Sequence, residues 1–293
     1  MLLLLILLSV PEPLHVVTTT TDLADIARTV GGEHVDVRSL CRGPEDPHFL
    51  EARPSFLRLV NRADLVMVIG MELEEGYMPL LLRDAANPRV RPGGSGYLDA
   101  SARIRKLDVP PGRSRAHGDV HASGNPHYLA DPANAAIVGE DLAKALAALR
   151  PAGAEEFAKR ARGLRDEIEK LLAGLEPGFR PFRGAAVVGF HDDVAYLVER
   201  FGLVLAGTLE PKPGVPPTAR HVADLKRHAK AVRARAVLYS GFQPKAPVEA
   251  ICQGTGMVAV LLAHQPNATA DAPDLLAMYR RNLGALLAAL EGP

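Results

Sequence analysis

PAGAEEFAKRARGLRDEIEKLLAGLEP, residues 151–177, has a helix-forming residue at almost every position, and Pro151 stands where a helix can begin. Its larger apolar side chains recur at steps of three and four residues, which places them along one stripe of a helix. They are Phe157, Leu164, Ile168, Leu171, Leu172 and Leu175. At about 1.5 Å per residue the helix would be about 35–40 Å long, the width of a whole domain. The stretch therefore predicts a rigid connector between two α/β lobes; an ordinary surface helix of one large domain is the alternative.

Strand-like and helix-like segments alternate before this connector. HVVTTTTDLADIARTVGG, residues 15–32, has the pattern of a strand followed by a helix that ends at two glycines. VDVRSL at residues 35–40 is predicted as the next strand, and the mostly apolar run at residues 63–70 suits a strand buried on both faces of a parallel sheet. Asp131 and Pro132 then open a helix that reaches about Leu149.

The same alternation continues after the connector. Four strands are predicted there, at residues 185–190, 203–209, 236–239 and 257–263, with helices at 193–201, 218–232, 247–254 and 271–290. Alternating strands and helices indicate parallel sheets with helices on their faces. The prediction is therefore an α/β fold with an N-terminal lobe at residues 14–150, the connecting helix at 151–177 and a C-terminal lobe at 178–293.

Residues 1–13 begin with MLLLLILLSV, an apolar run that is too short to cross a bilayer as a helix. Its length suits the apolar part of a secretion signal, although no Lys or Arg precedes it and no A-x-A site follows it. We interpret it as an incomplete signal segment of a periplasmic or extracytoplasmic protein; a buried first strand is the alternative.

The composition excludes several classes of partner. The 293 residues contain 34 Lys and Arg and 34 Asp and Glu, so the net charge is zero. The composition therefore shows no excess of basic residues of the kind that binds nucleic acid. Trp is absent and aromatic residues are 5% of the chain, which argues against a stacking platform for bases or sugars. The two cysteines, Cys41 and Cys252, lie in different predicted lobes and are expected to be unpaired.

Three of the ten histidines share one structural position. His48, His127 and His191 each lie where a loop leads into a predicted helix, and ligands of α/β folds bind beyond the strand ends. Any one of them alone would suit a structural role, but three imidazoles together form a ligand set for Zn²⁺ and leave one position to fill. HExxH, CxxC, Walker A, GxGxxG and GxSxG motifs are all absent, and no nucleophile is paired with a base. The constellation therefore predicts metal binding without catalysis.

His117 and His121 lie with Asp119 in the loop that precedes His127. The spacing fits either a weak metal-gathering loop or a solvent-exposed one, and the sequence does not decide between them.

Three motifs resemble those of the solute-binding proteins of zinc and manganese ABC importers. They are DPHFLEARPS at residues 46–55, GNPHYLADPANA at 124–135 and GFHDDVAYLVERFGL at 189–203. EPKPGVPPTARHVADL at residues 210–225 is also similar to that family, and the likeness runs from about His15 to the C-terminus in the expected order. The resemblance implies two α/β lobes, one long rigid helix between them and a single metal held in the cleft. It carries the metal-ligand role onto His48, His127 and His191 only.

The resemblance leaves the fourth ligand open. Family members often have an Asp in a loop after a late strand of the second lobe, but here Ala263 and His264 occupy that place. His264, Glu210, Asp46 or water could supply the fourth ligand. Members devoted to manganese tend to replace the third histidine with a carboxylate, so the presence of His191 favours zinc over manganese.

The resemblance implies a monomeric binding protein that captures zinc outside the cytoplasmic membrane and delivers it to the permease of an ABC importer. A second hypothesis is a zinc-dependent hydrolase that uses the same three histidines, with Glu210 or Asp192 as the general base. A surface adhesin of the same fold is a third.

Overall fold

The computed structural model describes residues 12–108, 121–212 and 214–292. Most of the predicted signal segment and His117 lie outside these described residues, so those two predictions stay untested. Cys41 and Cys252 are both free thiols, as expected, and burial raises the pKa of the Cys41 thiol to about 12.

The first lobe is built on a parallel sheet of four strands in the order β2-β1-β3-β4. Its strands are β1 (Leu14–Thr18), β2 (Val35–Ser39), β3 (Leu65–Val68) and β4 (Tyr97–Asp99). Its helices are α1 (Thr21–Gly31), α2 (Pro54–Arg62), α3 (Met78–Asp84) and α4 (Pro132–Leu149). The central strand β1 pairs Val16 with Val37 on one side and with Leu65 on the other. The strands at residues 35–40 and 63–70 are confirmed, whereas the short β4 and α3 were not predicted.

The second lobe repeats this topology with a parallel sheet in the order β6-β5-β7-β8. Its strands are β5 (Ala186–Gly189), β6 (Val204–Thr208), β7 (Ala236–Ser240) and β8 (Val258–Leu262). Its helices are α6 (Ala195–Arg200), α7 (Ala219–Ala231), α8 (Lys245–Cys252) and α9 (Leu275–Glu291). In each sheet the first strand of the lobe, β1 or β5, lies between the second and third strands, so the strand order reverses there. Ligands of open α/β sheets bind beyond the strand ends at such a reversal.

Helix α5 (Ala154–Phe179) is the predicted connector, preceded by a single 3-10 turn at Pro151–Gly153. It extends past Pro177, where the sequence prediction placed its end. A proline in the last turn of a helix removes one backbone hydrogen bond. The last turn remains helical here because Phe179, which follows Pro177, is buried in the core. The exact lobe limits at residues 150 and 178 stay a prediction.

The apolar stripe of α5 lies in a hydrophobic core that both lobes share. Phe157, Ile168 and Phe179 are fully buried on this helix, and α5 packs against α1 and α4 of the first lobe and α9 of the second. The rings of Phe179 and Phe201 stack at 4.0 Å between centroids, which joins the end of α5 to the second lobe. One continuous cluster of buried side chains therefore runs from the first lobe to the second. The two sheets are held by packing as well as by covalent connection.

Within the described residues no helix combines the length and the apolar character that crossing a bilayer requires.

Breaking α5 in its middle should destabilise the whole chain. Ile168→Pro removes a helical hydrogen bond and clashes with the preceding turn, and should lower the free energy of unfolding by about 3 kcal/mol or more. Ile168→Val, which keeps the helix, should cost only about 0.5–1.5 kcal/mol. Chemical denaturation of the two variants measures both values. Equal stability of Ile168→Pro and the parent chain would contradict the role assigned to this helix.

Candidate metal centre

His48 is oriented by the residue that begins its own short helix. Asp46 caps the 3-10 turn Pro47–Phe49, and its Oδ1 accepts hydrogen bonds from the backbone N–H of His48 at 3.0 Å and from His48 Nδ1 at 2.8 Å. Burial alone would raise the pKa of Asp46, but its hydrogen bonds to His48 hold the pKa below its usual value. With Nδ1 donating to Asp46, the buried Nε2 of His48 is a lone-pair acceptor without a partner.

His127 stands at the turn that opens α4. Asn125 Oδ1 accepts a hydrogen bond from the His127 backbone N–H at 3.0 Å, and Asn125 Nδ2 donates to the carbonyl of Asp192 in the second lobe at 2.7 Å. Tyr128, beside it, donates from its hydroxyl to the Ile69 carbonyl at 2.9 Å. Burial, reinforced by the neighbouring histidines, lowers the pKa of His127 well below 6.5, so the ring is neutral at pH 7. Its Nε2 is buried and has no hydrogen-bond partner.

His191 lies two residues after the end of β5 and is oriented by Glu210, which lies two residues after the end of the neighbouring strand β6. Its Nδ1 donates to Glu210 Oε2 at 2.7 Å, and the Gly214 N–H donates to the same oxygen at 3.1 Å. Burial works to lower the pKa of His191, but the bond to Glu210 and the nearby Asp193 carboxylate outweigh it and raise the pKa above 6.5. His191 is therefore more readily protonated than His127.

The structure brings the three predicted histidines together in the cleft. The ring centroid of His127 lies 5.0 Å from that of His48 and 5.2 Å from that of His191, and the centroids of His48 and His191 are 5.5 Å apart. They line a cavity of about 130 Å³ that receives residues from both lobes. Metal ligation by these three residues stays a prediction, but the fold gives them one common space.

A fourth histidine, His121, lies beside two of these rings, with its ring centroid 5.7 Å from that of His48 and 6.4 Å from that of His127. One ring nitrogen from each of His48, His121 and His127 lies within 4.8 Å of the other two. The Nε2 of His121 is buried without a partner, and burial together with the His48 and His191 charges lowers its pKa to about 4. The sequence left this residue undecided because its loop has no regular pattern.

The fourth-ligand candidates from the sequence occupy different positions. Asp46 and Glu210 lie behind the rings, each with an oxygen hydrogen-bonded to an Nδ1 atom. His264 lines the cavity, with its Nε2 3.0 Å from the Glu45 carbonyl and its ring against Phe242 at 4.7 Å between centroids. The two carboxylates are thus the outer acceptors that fix ring orientation, a role the sequence could not assign.

Of the two hydrolytic bases proposed from the sequence, Glu210 already accepts hydrogen bonds from other groups. Glu210 is occupied by His191 and Gly214. Burial, with the nearby Asp108 carboxylate, raises the pKa of Asp192 to about 6. The Oδ1 atom of Asp193 is buried and unpaired, and its other carboxylate oxygen accepts a 3.4 Å hydrogen bond from the Ser240 hydroxyl. The arrangement is chemically suited to holding a cation between imidazole nitrogens.

Solved structures share the fold. The Cd-bound periplasmic metal binding protein of Candidatus Liberibacter asiaticus superposes with a TM-score of 0.79 at 20% identity, over 94% of this chain and 98% of that chain. A mutant of the laminin-binding adhesin of Streptococcus agalactiae also gives a TM-score of 0.79, at 24% identity, over 94% and 99% of the two chains. At these identities the likeness demonstrates a common fold and no more.

Relatives found by sequence match a smaller share of this chain than the solved structures do. The high-affinity zinc uptake system protein ZnuA of Brucella abortus is 28% identical over 54% of this chain and 47% of its own length, so the match spans about half of that relative. The iron-binding protein YfeA of Yersinia pestis is 27% identical over 73% of this chain and 66% of its own length. The manganese ABC transporter substrate-binding lipoprotein PsaA of Streptococcus pneumoniae is 21% identical over 84% and 78%.

A family model covers almost the whole chain. The model described as "Zinc-uptake complex component A periplasmic" matches residues 16–289, which include both sheets, the connector and every histidine of the cleft. Its periplasmic description agrees with the extracytoplasmic location expected from the sequence. The chain therefore belongs to the family of zinc-uptake complex component A periplasmic proteins.

Proposed function

We propose that this chain captures Zn²⁺ outside the cytoplasmic membrane and delivers it to the permease of an ABC importer. The observation that carries the proposal is the convergence of His48, His127 and His191 on one buried cavity, with carboxylates behind two of the rings. Outer acceptors of this kind fix the tautomer and orientation of ligating imidazoles. The family and the importer relatives described above support the transport role.

The donor set favours zinc among the metals named for the relatives. Those relatives are named for zinc, iron and manganese. Imidazole nitrogen suits zinc and other late first-row ions, whereas manganese prefers carboxylate, carbonyl and water oxygens. Because the metal-facing positions are imidazoles and the carboxylates lie behind them, zinc is the substrate we propose.

Removing a central imidazole should weaken zinc binding sharply. The parent chain should bind one zinc per molecule, and His127→Ala should lower the affinity by more than the roughly 10–100-fold that loss of an outer acceptor costs. His15→Ala, which changes an exposed histidine on β1, should leave the affinity unchanged. Competition with a chromogenic chelator, together with metal analysis, measures both quantities. A parent chain that binds no zinc would refute the proposal, and turnover of ester or phosphoester substrates by the zinc-loaded chain would favour the hydrolase.

Zinc affinity should fall as the pH is lowered from about 7 to 5. His191 has a raised pKa and takes up a proton early, so zinc must displace that proton, whereas His121 and His127 stay neutral to lower pH. The dissociation constant should rise by up to about tenfold per pH unit below the pKa of His191, because one proton competes with the metal there. Glu210→Gln removes the carboxylate that raises this pKa, so the decline should move to lower pH. An affinity that does not change between pH 7 and 5 would indicate carboxylate-dominated coordination.

Zinc should change local loops more than the angle between the lobes. A continuous helix set in a shared core cannot hinge without losing hydrogen bonds and buried contacts. Small-angle scattering of the metal-free and zinc-loaded chain should therefore give nearly the same radius of gyration. Amide exchange should instead change at residues 43–49 and 254–268. A clear compaction on zinc addition would show that the connector acts as a hinge.

A further inference from the structure

His121 is the histidine of the cleft that no sequence motif assigned. Its Nε2 atom is buried and unpartnered, as are those of His48 and His127, and a nitrogen of His121 lies within 4.8 Å of a nitrogen of each of these two rings. The centroid of its ring is 5.7 Å from that of His48 and 6.4 Å from that of His127. A buried nitrogen acceptor without a donor is costly unless a ligand supplies the missing partner.

The turn that carries His121 is tied to the first sheet by Glu72. The Ser123 hydroxyl donates to Glu72 Oε1 at 2.9 Å and the Ser123 N–H to Glu72 Oε2 at 3.3 Å, while the His121 ring bonds to the backbone of Glu72. Glu72 has a φ of 68° and Met71 a φ of 48°, values that non-glycine residues rarely adopt. Consecutive residues in this strained region are typical of functional sites, where surrounding contacts hold them in place. His121 is therefore a positioned side chain.

The other candidates for a fourth ligand are less well placed. Among the described residues, the group of close ligand atoms comprises His48, His121 and His127, without His264 or Asp193. His191 lies beside this group, with its ring centroid 5.5 Å from that of His48 and 5.2 Å from that of His127. His264 and Asp193 each have one buried atom without a partner, Nδ1 and Oδ1, but neither atom belongs to the group around His48 and His127. The Nε2 atom of His264 faces the Glu45 carbonyl, and the second oxygen of Asp193 accepts from Ser240. Asp46 and Glu210 already accept hydrogen bonds from the ligand rings.

We infer that His121 is a fourth nitrogen ligand, so that four imidazoles enclose the metal and no position remains for water. The inference rests on the proposed function and adds the source of its selectivity. Four protein ligands make a closed, tetrahedral zinc site, whereas catalytic zinc sites keep one position open. An all-nitrogen set also disfavours manganese, which prefers oxygen ligands.

The first test compares His121→Ala and His121→Gln with the parent chain, using zinc and cobalt(II) ions as probes. Both variants should still bind one zinc, with affinity reduced at least about tenfold. Their cobalt complexes should lose visible absorption, since four-coordinate tetrahedral cobalt(II) absorbs more strongly than five- or six-coordinate cobalt(II). X-ray absorption of the zinc complexes should count one imidazole fewer than in the parent. Thermal unfolding of the metal-free variants checks that the fold is retained, and the glutamine variant preserves side-chain volume.

The matched controls are His264→Ala and Asp193→Asn, which alter the rival residues of the same cavity. Both should keep the parent cobalt spectrum and the parent imidazole count. A His121→Ala chain with parent-like zinc affinity and cobalt spectrum would overturn the inference while leaving the proposed function intact. Loss of the four-coordinate spectrum in His264→Ala or Asp193→Asn, but not in the His121 variants, would overturn it in favour of that residue. A parent chain that binds no zinc would instead refute the proposed function.

A second test addresses selectivity. His121→Asp replaces one nitrogen with a carboxylate oxygen, so the ratio of zinc affinity to manganese affinity should fall relative to the parent chain. Competition between the two ions, with each bound metal measured directly, gives this ratio. An unchanged ratio in His121→Asp would contradict the assignment of His121 as a ligand.

Discussion

Crowding several imidazole rings into one buried space makes each additional positive charge costly. Burial is the largest influence that lowers the pKa of His127 and of His121, and neighbouring rings add to it. The protein compensates at the edges of the cluster, where Asp46 and Glu210 accept hydrogen bonds from His48 and His191. The result is a group of imidazole nitrogens with carboxylates behind the His48 and His191 rings, an environment that attracts a divalent cation.

This arrangement requires that loops from the two lobes keep fixed positions relative to each other. Gln265 is buried in the second lobe, and its Nε2 lies 3.0–3.2 Å from the carbonyl oxygens of Arg42, Gly43 and Glu45. Its Oε1 accepts a hydrogen bond from the Thr21 N–H at 3.1 Å. Gly43 permits this approach, because a Cβ there would lie 2.2 Å from the backbone of Asn267. The loop that carries His48 is thus bound to the second lobe near the cavity, and the core around α5 holds the lobes together elsewhere. Both constraints oppose a wide opening of the cleft.

The sequence anticipated the regular elements because their signals are local. The apolar stripe of α5 follows the helical period, and β3 is a short apolar run typical of a buried strand. Asp131 caps α4, and its Oδ1 accepts a hydrogen bond from the Ala133 N–H. Helix α3 and strand β4 were not predicted because they are short. Helix α3 also follows the strained turn at Met71 and Glu72. The end of α5 was misplaced because a buried Phe179 outweighs the usual effect of Pro177.

By itself the sequence determined that His48, His127 and His191 stand at loop-to-helix junctions, since that depends only on neighbours along the chain. Only the tertiary structure decided which groups stand behind these rings and which further ring joins them. Glu210 follows a different strand from His191, and Glu72 meets Ser123 across 51 residues, so no local pattern marks either contact. His121 lies in a loop without periodicity, and its ring comes to lie beside His48 and His127 in a turn whose Ser123 bonds to Glu72. Side chains that converge from distant segments are positioned by packing, which a linear sequence does not display.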